Sequence, residues 1–152
     1  MRLNARVDYA LRAVVELAAA DGSAARPVTA ERLATAQQIP SKFLEGILSQ
    51  LRRAGLIHSQ RGPEGGYWLA KPADEISLAD IIRVIDGPLA NVRGQRPESL
   101  GYQGAAASLR DVWIALRASE REILDSVTIA DVAGASLPER VRTLAADPTA
   151  WV

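Results

Sequence analysis

The sequence predicts a mainly α-helical chain with one small β-hairpin, on three observations. Apolar residues recur at helical spacing in several separate stretches, the plainest being Leu44, Ile47, Leu48 and Leu51. Directly after that stretch, residues 56–61 and 67–71 read as two short strands. Gly62, Pro63, Glu64, Gly65 and Gly66 between them are all turn residues. Ahead of it, two further helical stretches precede a turn that carries Pro40. Helix, turn, helix and hairpin in this order predict a winged helix-turn-helix.

The elements follow from local chemistry. Asn4 caps a first helix running to about residue 20. Val7, Leu11, Val14 and Ala18 form its expected inner stripe, with Val15 and Leu17 on the margins. Asp21, Gly22 and Ser23 end it. Thr29 is the N-cap of a second helix, 30 to about 37, with Leu33 and Ala34 inward. Residues 36–40 form the turn, and Pro40 suits the first turn of the third helix. Gly55 stops that helix, because glycine accepts the left-handed C-cap conformation. After the hairpin, Ser77-Leu78-Ala79-Asp80 is a capping-box pattern opening a helix with Leu78, Ile81, Ile82 and Ile85 apolar. Gly87-Pro88 closes it.

Residues 88–104 read as a loop, rich in Gly, Pro, Gln, Asn and Arg. A loop of this length in a compact domain is usually functional. A long helix follows over 105–126, about 30 Å at 1.5 Å per residue. Leu109, Val112, Trp113, Leu116, Ile123, Leu124 and Val127 make its apolar stripe, interrupted once by Ser119 and Glu120. It is longer than a small winged-helix core needs, so it asks for a partner face. Thr128 to Asp131 is a second capping-box pattern for a short helix ending near Gly134, and 138–146 reads as one more. The expected organisation is a winged-helix domain over 1–87, a loop over 88–104, partner-facing helices over 105–135 and a tail over 136–152.

Bulk properties narrow the function. With 152 residues the chain is one domain or one domain plus an extension. No apolar run is long enough to span a bilayer, and Asp8, Arg12 and Glu16 break up the N-terminal apolar residues. No membrane association and a cytoplasmic location are therefore expected. Net charge is zero, yet residues 1–72 hold ten Lys/Arg against six Asp/Glu, and residues 73–152 hold eight against twelve. A basic front half and an acidic back half suit a nucleic-acid module joined to an assembly module, although chance partition gives the same tally. There is no cysteine, which excludes disulfides and thiolate-bound metal within one chain.

Three blocks carry a resemblance. The first is Asp8-Tyr9-Ala10-Leu11-Arg12-Ala13. The second comprises Phe43-Leu44-Glu45, Ile47-Leu48, Leu51, Ala54-Gly55-Leu56, Ser59, Arg61-Gly62, Gly65-Gly66-Tyr67 and Leu69-Ala70. The third is the run 81–89. Together they resemble the Rrf2 family of bacterial transcription regulators over most of residues 1–135. The resemblance implies double-stranded DNA as partner and a homodimer whose long helices cross. Many relatives hold an iron–sulfur cluster through three cysteines in the loop before the long helix. Here that loop has none, so no cofactor is expected. Asp8 matches a cluster ligand of some relatives, but the same aspartate is common in cluster-free members and reads as a first-helix polar anchor.

The expected DNA contacts are Ser41, Lys42, Phe43, Glu45, Gly46 and Ser49 on the third helix, with Arg52 near its end and Arg61 and Gly62 at the wing tip. The first two turns of a recognition helix meet base edges. A carboxylate survives there by accepting from a cytosine amino group, and Glu45 resembles a base-selecting glutamate of the family. Many relatives carry a longer polar residue where this chain has Gly46. An arginine beside a glycine-rich tip can enter a narrow minor groove, as the matching arginine of relatives does. On spacing alone, Lys42, Glu45 and Arg52 are equally a solvated helix face, and Arg61 a hairpin arginine paired with Glu64.

Other chemistry is weaker. Gly62 to Gly66 lacks the Gly-Lys-Ser/Thr ending of a phosphate loop and opens no helix. His58, the only histidine, reads as structural or exposed, and no catalytic or metal-binding constellation is evident. No enzyme is expected. Trp68, Tyr102 and Trp113 are candidates for a pocket taking an unidentified small-molecule effector, although Trp113 at helical spacing equally suits a dimer core. The expectation is a homodimeric regulator, a repressor by default, reading a pseudopalindromic operator. A metabolite sensor and a dimeric scaffold that has lost DNA binding are the alternatives.

Overall fold

A computed structural model describes all residues from Met1 to Val152. Three helices and a hairpin form its first half: α1 (Ala5–Ala20), α2 (Ala30–Gln37), α3 (Ser41–Arg53), β1 (Ile57–Gln60) and β2 (Gly66–Leu69). Four helices follow: α4 (Leu78–Asp86), α5 (Leu109–Leu124), α6 (Ile129–Ala133) and α7 (Glu139–Ala146).

The caps explain the boundaries. The Asn4 side chain accepts from the Val7 amide at 2.9 Å, and the Thr29 hydroxyl accepts from the Arg32 amide at 3.2 Å. Both satisfy donors that a helix N-terminus leaves free. At the end of α3 the Leu56 amide donates to the Leu51 carbonyl at 3.1 Å, and the Gly55 amide donates to Arg52 at 3.0 Å. That is a Schellman turn, and Gly55 supplies its left-handed residue with φ 78°. Reciprocal capping boxes form at Ser77/Asp80 and at Thr128/Asp131.

The hairpin is shorter than expected. Leu56 is taken by the Schellman turn, so β1 begins at Ile57. Gly66 belongs to β2 rather than to the turn, because it pairs with Gln60. The register runs Ile57 to Leu69, His58 to Trp68 and Ser59 to Tyr67. Val28 adds a single bridge, exchanging hydrogen bonds of 2.9 and 2.8 Å with Tyr67. This tethers the segment before α2 to the wing. A Cβ on Gly65 would lie 2.1 Å from the Gln60 carbonyl oxygen, and one on Gly66 would lie 2.6 Å from the Val28 oxygen. The wing is therefore closed only by glycines.

The core sits between α1, α3, the hairpin and α6. Val14, Leu17, Leu33, Leu44, Ile47, Leu48, Leu51, Ile57, Ile81 and Ile129 are among its buried members. On α1 the buried residues are Val7, Ala10, Ala13, Val14 and Leu17. The expected stripe thus shifts. Leu11 and Ala18 are half-buried, and Ala10 and Ala13 bring α1 close to its neighbours.

The rear half differs more. Segment 88–104 is a chain of tight turns, with 3-10 turns at Pro97–Ser99 and Gly104–Ala106. Leu89 and Leu100 are buried and pin it. The long helix begins at Leu109, not 105, because the 3-10 turn opened by left-handed Gly104 intervenes. Its 16 residues span about 24 Å. Val127 lies beyond it and is buried. The segment 105–135 divides its packing: α5 has no fully buried residue, whereas α6 returns to the winged-helix core. There the Ile129 amide donates to Ile76 at 2.9 Å and the Leu78 amide to Val127 at 3.0 Å. Trp151 is 80% exposed.

Candidate nucleic-acid interface

α3 buries one face and offers the other. Leu44, Ile47, Leu48 and Leu51 point into the core, while Ser41, Lys42, Glu45, Gly46 and Arg52 are exposed and Ser49 is half-buried. Phe43 is 43% exposed and held on both sides. The Lys42 ammonium lies 5.0 Å from its ring centroid, and the Tyr9 ring lies 6.0 Å away in a tilted pair. Arg12 stacks over Tyr9 at 5.1 Å. Phe43 thus ties the exposed start of α3 to α1.

The same arginine fixes α2. Arg12 donates to Asp8 at 2.8 Å and to the Gln37 carbonyl at the end of α2. The Asp8 carboxylate pairs only with Arg12, one turn along the same helix, and so orients that arginine. On the other flank Arg6 donates to Gln50 at 2.6 Å, and Gln50 donates to the Val84 carbonyl of α4 at 2.7 Å.

A groove of about 540 Å³ runs between the first turn of α2, the later part of α3 and the hairpin. It brings together Ser49, Arg52, Arg61 and Gly62 with Thr29 and Gln60. The last two were not singled out as contacts by sequence. Thr29 was visible only as a cap, and Gln60 only as a strand residue. Lys42, Glu45, Arg52 and Arg61 join no ion pair. Arg61 therefore does not pair with Glu64 and stands free at the wing tip. Glu31 also borders the groove and opposes a phosphate there.

Trp68, Tyr102 and Trp113 do not line one cavity. Trp68 faces His58 across the hairpin at 5.8 Å. The Trp113 indole donates to the Tyr102 hydroxyl at 3.0 Å. Trp113 borders a separate cavity of about 330 Å³ with Ile82, Leu89, Leu116 and Glu120. Both Glu120 carboxylate oxygens are buried there without a hydrogen bond.

Comparison with known proteins places the fold in a family. Residues 3–135 match the family profile described as Rrf2, iron-dependent transcriptional regulator. The chain is 53% identical over 148 residues to the putative HTH-type transcriptional regulator Rv1287 of Mycobacterium tuberculosis, covering 97% of this chain and 90% of the relative. It is 35% identical over 133 residues to the HTH-type transcriptional regulator CymR of Bacillus subtilis, covering 88% and 90%. The solved structure of CymR, the global cysteine regulator of B. subtilis, superposes with a TM-score of 0.73 at 34% identity over 88% of this chain and 97% of that one. That of T. potens IscR gives 0.69 at 29% identity, covering 100% and 97%. These are regulators, not enzymes.

The donor set does not fit the iron–sulfur cluster that an iron-dependent family implies. Thiolates hold such clusters, and the chain has no cysteine. No three His, Cys, Asp or Glu side chains gather to hold a metal ion.

Proposed function

The chain belongs to the Rrf2 family of transcriptional regulators, and from that we propose that it works as a cluster-free homodimeric repressor reading a pseudopalindromic operator. The DNA-reading unit is 1–87, the loop is 88–104, dimer contacts come from within 105–135, and 136–152 is a tail. The observation that carries this reading is the groove lined by both Arg52 of α3 and Arg61 of the wing, on a helix whose first turns are also exposed on their outer face. Ser41 and Lys42 are the phosphate and guanine contacts, Glu45 selects cytosine, and Ser49 and Arg52 follow along the groove. Phe43 positions the helix, and Gly46 leaves its place open. Arg61 enters the minor groove, with Gly62 letting the backbone approach.

Support for the dimer comes from α5. Leu109, Val112 and Leu116 are 40%, 53% and 43% exposed along one face of the helix. Such a contiguous apolar stripe is an interface signature. No helix is long and apolar enough to cross a membrane, and we place the protein in the cytoplasm with its DNA. Repression follows from occupying a promoter. Selection of bound duplexes from a random pool tests the reading. Enriched inverted repeats, with half-sites about 10–10.5 bp or a multiple apart, are expected. Enrichment of no motif would overturn it.

A further inference from the structure

Four arginines that lie far apart in sequence converge on one cavity. Arg83 comes from the last turn of α4, Arg96 from the turn-rich segment, and Arg117 and Arg121 from consecutive turns of α5. They line a cavity of about 490 Å³, with Glu98 as the only carboxylate in the wall and Leu89 as an apolar patch. Like charges at such a joint repel unless something neutralises them.

Neutralisation within the chain is incomplete. Asp125 accepts from Arg83 in a two-pronged pair at 2.9 and 3.1 Å, and from Arg121 at 3.2 Å. Asp80 touches Arg83 only at 3.9 Å. Glu98 pairs with Arg117, while its backbone carbonyl accepts from Arg110 at 3.1 Å. Arg96 has no ion pair. Two close carboxylates therefore serve four guanidiniums. The C-terminal end of α4, at Gly87, opposes an anion with only about half a charge. With that half charge and the more distant Asp80 counted, an excess of roughly one positive charge remains.

We propose that this cavity is a binding site for a small phosphate-bearing anion. Guanidinium forks match phosphate oxygens two at a time, and a phosphate monoester carries about −1.5 to −2 charge at neutral pH. Arg96, which has no ion pair, is the primary contact, and Arg117 adds the N–H groups left over from its pair with Glu98. Arg83 and Arg121, already turned to Asp125, set the field behind them. The site joins α4 of the winged-helix unit to α5. An anion there would fix the angle between the two, a consequence that rests on the proposed regulator function. Binding itself does not.

Calorimetric titration of the full chain with inorganic phosphate and pyrophosphate, at ionic strength held constant with chloride, tests the site without DNA. Pyrophosphate should bind saturably, and Arg96→Gln should weaken it about tenfold or more. Arg142→Gln on α7 should leave it unchanged. The Arg96 guanidinium holds no other group in place, and its backbone carbonyl, which accepts from Ser99, is unaffected by substitution, so the fold is kept, and circular dichroism checks that. No saturable heat up to about 20 mM pyrophosphate, or equal binding by Arg96→Gln, would overturn the site. Tighter binding of succinate than of pyrophosphate would overturn the phosphate assignment. Failure of DNA selection together with intact pyrophosphate binding would overturn the regulator reading alone.

Discussion

The Gln50 side-chain amide donates to the Val84 carbonyl at 2.7 Å, while its oxygen accepts from Arg6 at 2.6 Å. One residue of α3 therefore clamps that helix to α1 and α4 together. Val84 lies in the last turn of α4, whose carbonyls lack partners within the helix. Gln50→Leu should destabilise the protein by about 1–2 kcal/mol, the usual cost of stranding a part-buried carbonyl and a guanidinium. Urea unfolding measures it. An unchanged midpoint would mean that water replaces both bonds.

Gly46 sits in the interior of α3 with room around it. A Cβ there would meet only the Arg6 guanidinium at 3.8 Å, an ordinary contact. Glycine in a helix interior costs about 0.5–1 kcal/mol relative to alanine. Gly46→Ala should therefore raise the melting temperature by about 1–4 °C. Thermal unfolding decides it, and a fall would reveal a contact that the isolated chain does not show.

Much of this was legible in the sequence because it is local. The caps at Asn4, Thr29, Ser77 and Thr128 and the stop at Gly55 depend on residues three or four apart. The alternation of α3 gave its buried face outright. What escaped is non-local. Ala10 and Ala13 are core because neighbours approach closely, which their small side chains do not announce. The groove needs Thr29 and Gln60 to meet across the Val28–Tyr67 bridge. The arginine cavity needs residues 83, 96, 117 and 121 to converge, and no spacing rule joins them. The return of α6 to the core was hidden for the same reason.

Asp125 gives a pH signature. The hydrogen bond from Arg83 holds its carboxyl below the usual aspartate range, against the opposing effect of burial and with smaller help from Arg121. A carboxyl lowered in the folded state stabilises above its unfolded pKa and loses that contribution as pH falls through the folded value. Wild type should thus exceed Asp125→Asn in stability at pH 7, with the gap closing below about pH 4. Partial exposure and solvent screening hold the gap to about 1 kcal/mol or less. Chemical unfolding from pH 2 to 7 tests it, and a gap that widens in acid would contradict the assignment.

The α5 stripe predicts assembly. Val112 is 53% exposed in the single chain, so Val112→Glu should leave the fold intact. In a dimer seam the same change buries an unpaired charge. Sedimentation should give twice the 16.3 kDa chain mass for wild type. The variant should sediment at the single-chain mass. A wild-type monomer would contradict the homodimer, and an unaffected dimer would move the interface elsewhere.

Reading of DNA by α3 and the wing is open to a direct binding measurement. Fluorescence anisotropy of wild type, Arg61→Ala and Glu45→Ala would be followed on DNA from upstream of the protein's own gene and on a scrambled duplex, across a salt series. The account predicts sequence-preferring binding that weakens with salt. Arg61→Ala should lower affinity by about 1–3 kcal/mol, and Glu45→Ala should relax the preference at one base position. Equal affinity for both duplexes at every salt, unaffected by either substitution, would contradict it and favour a scaffold that has kept the fold without reading DNA.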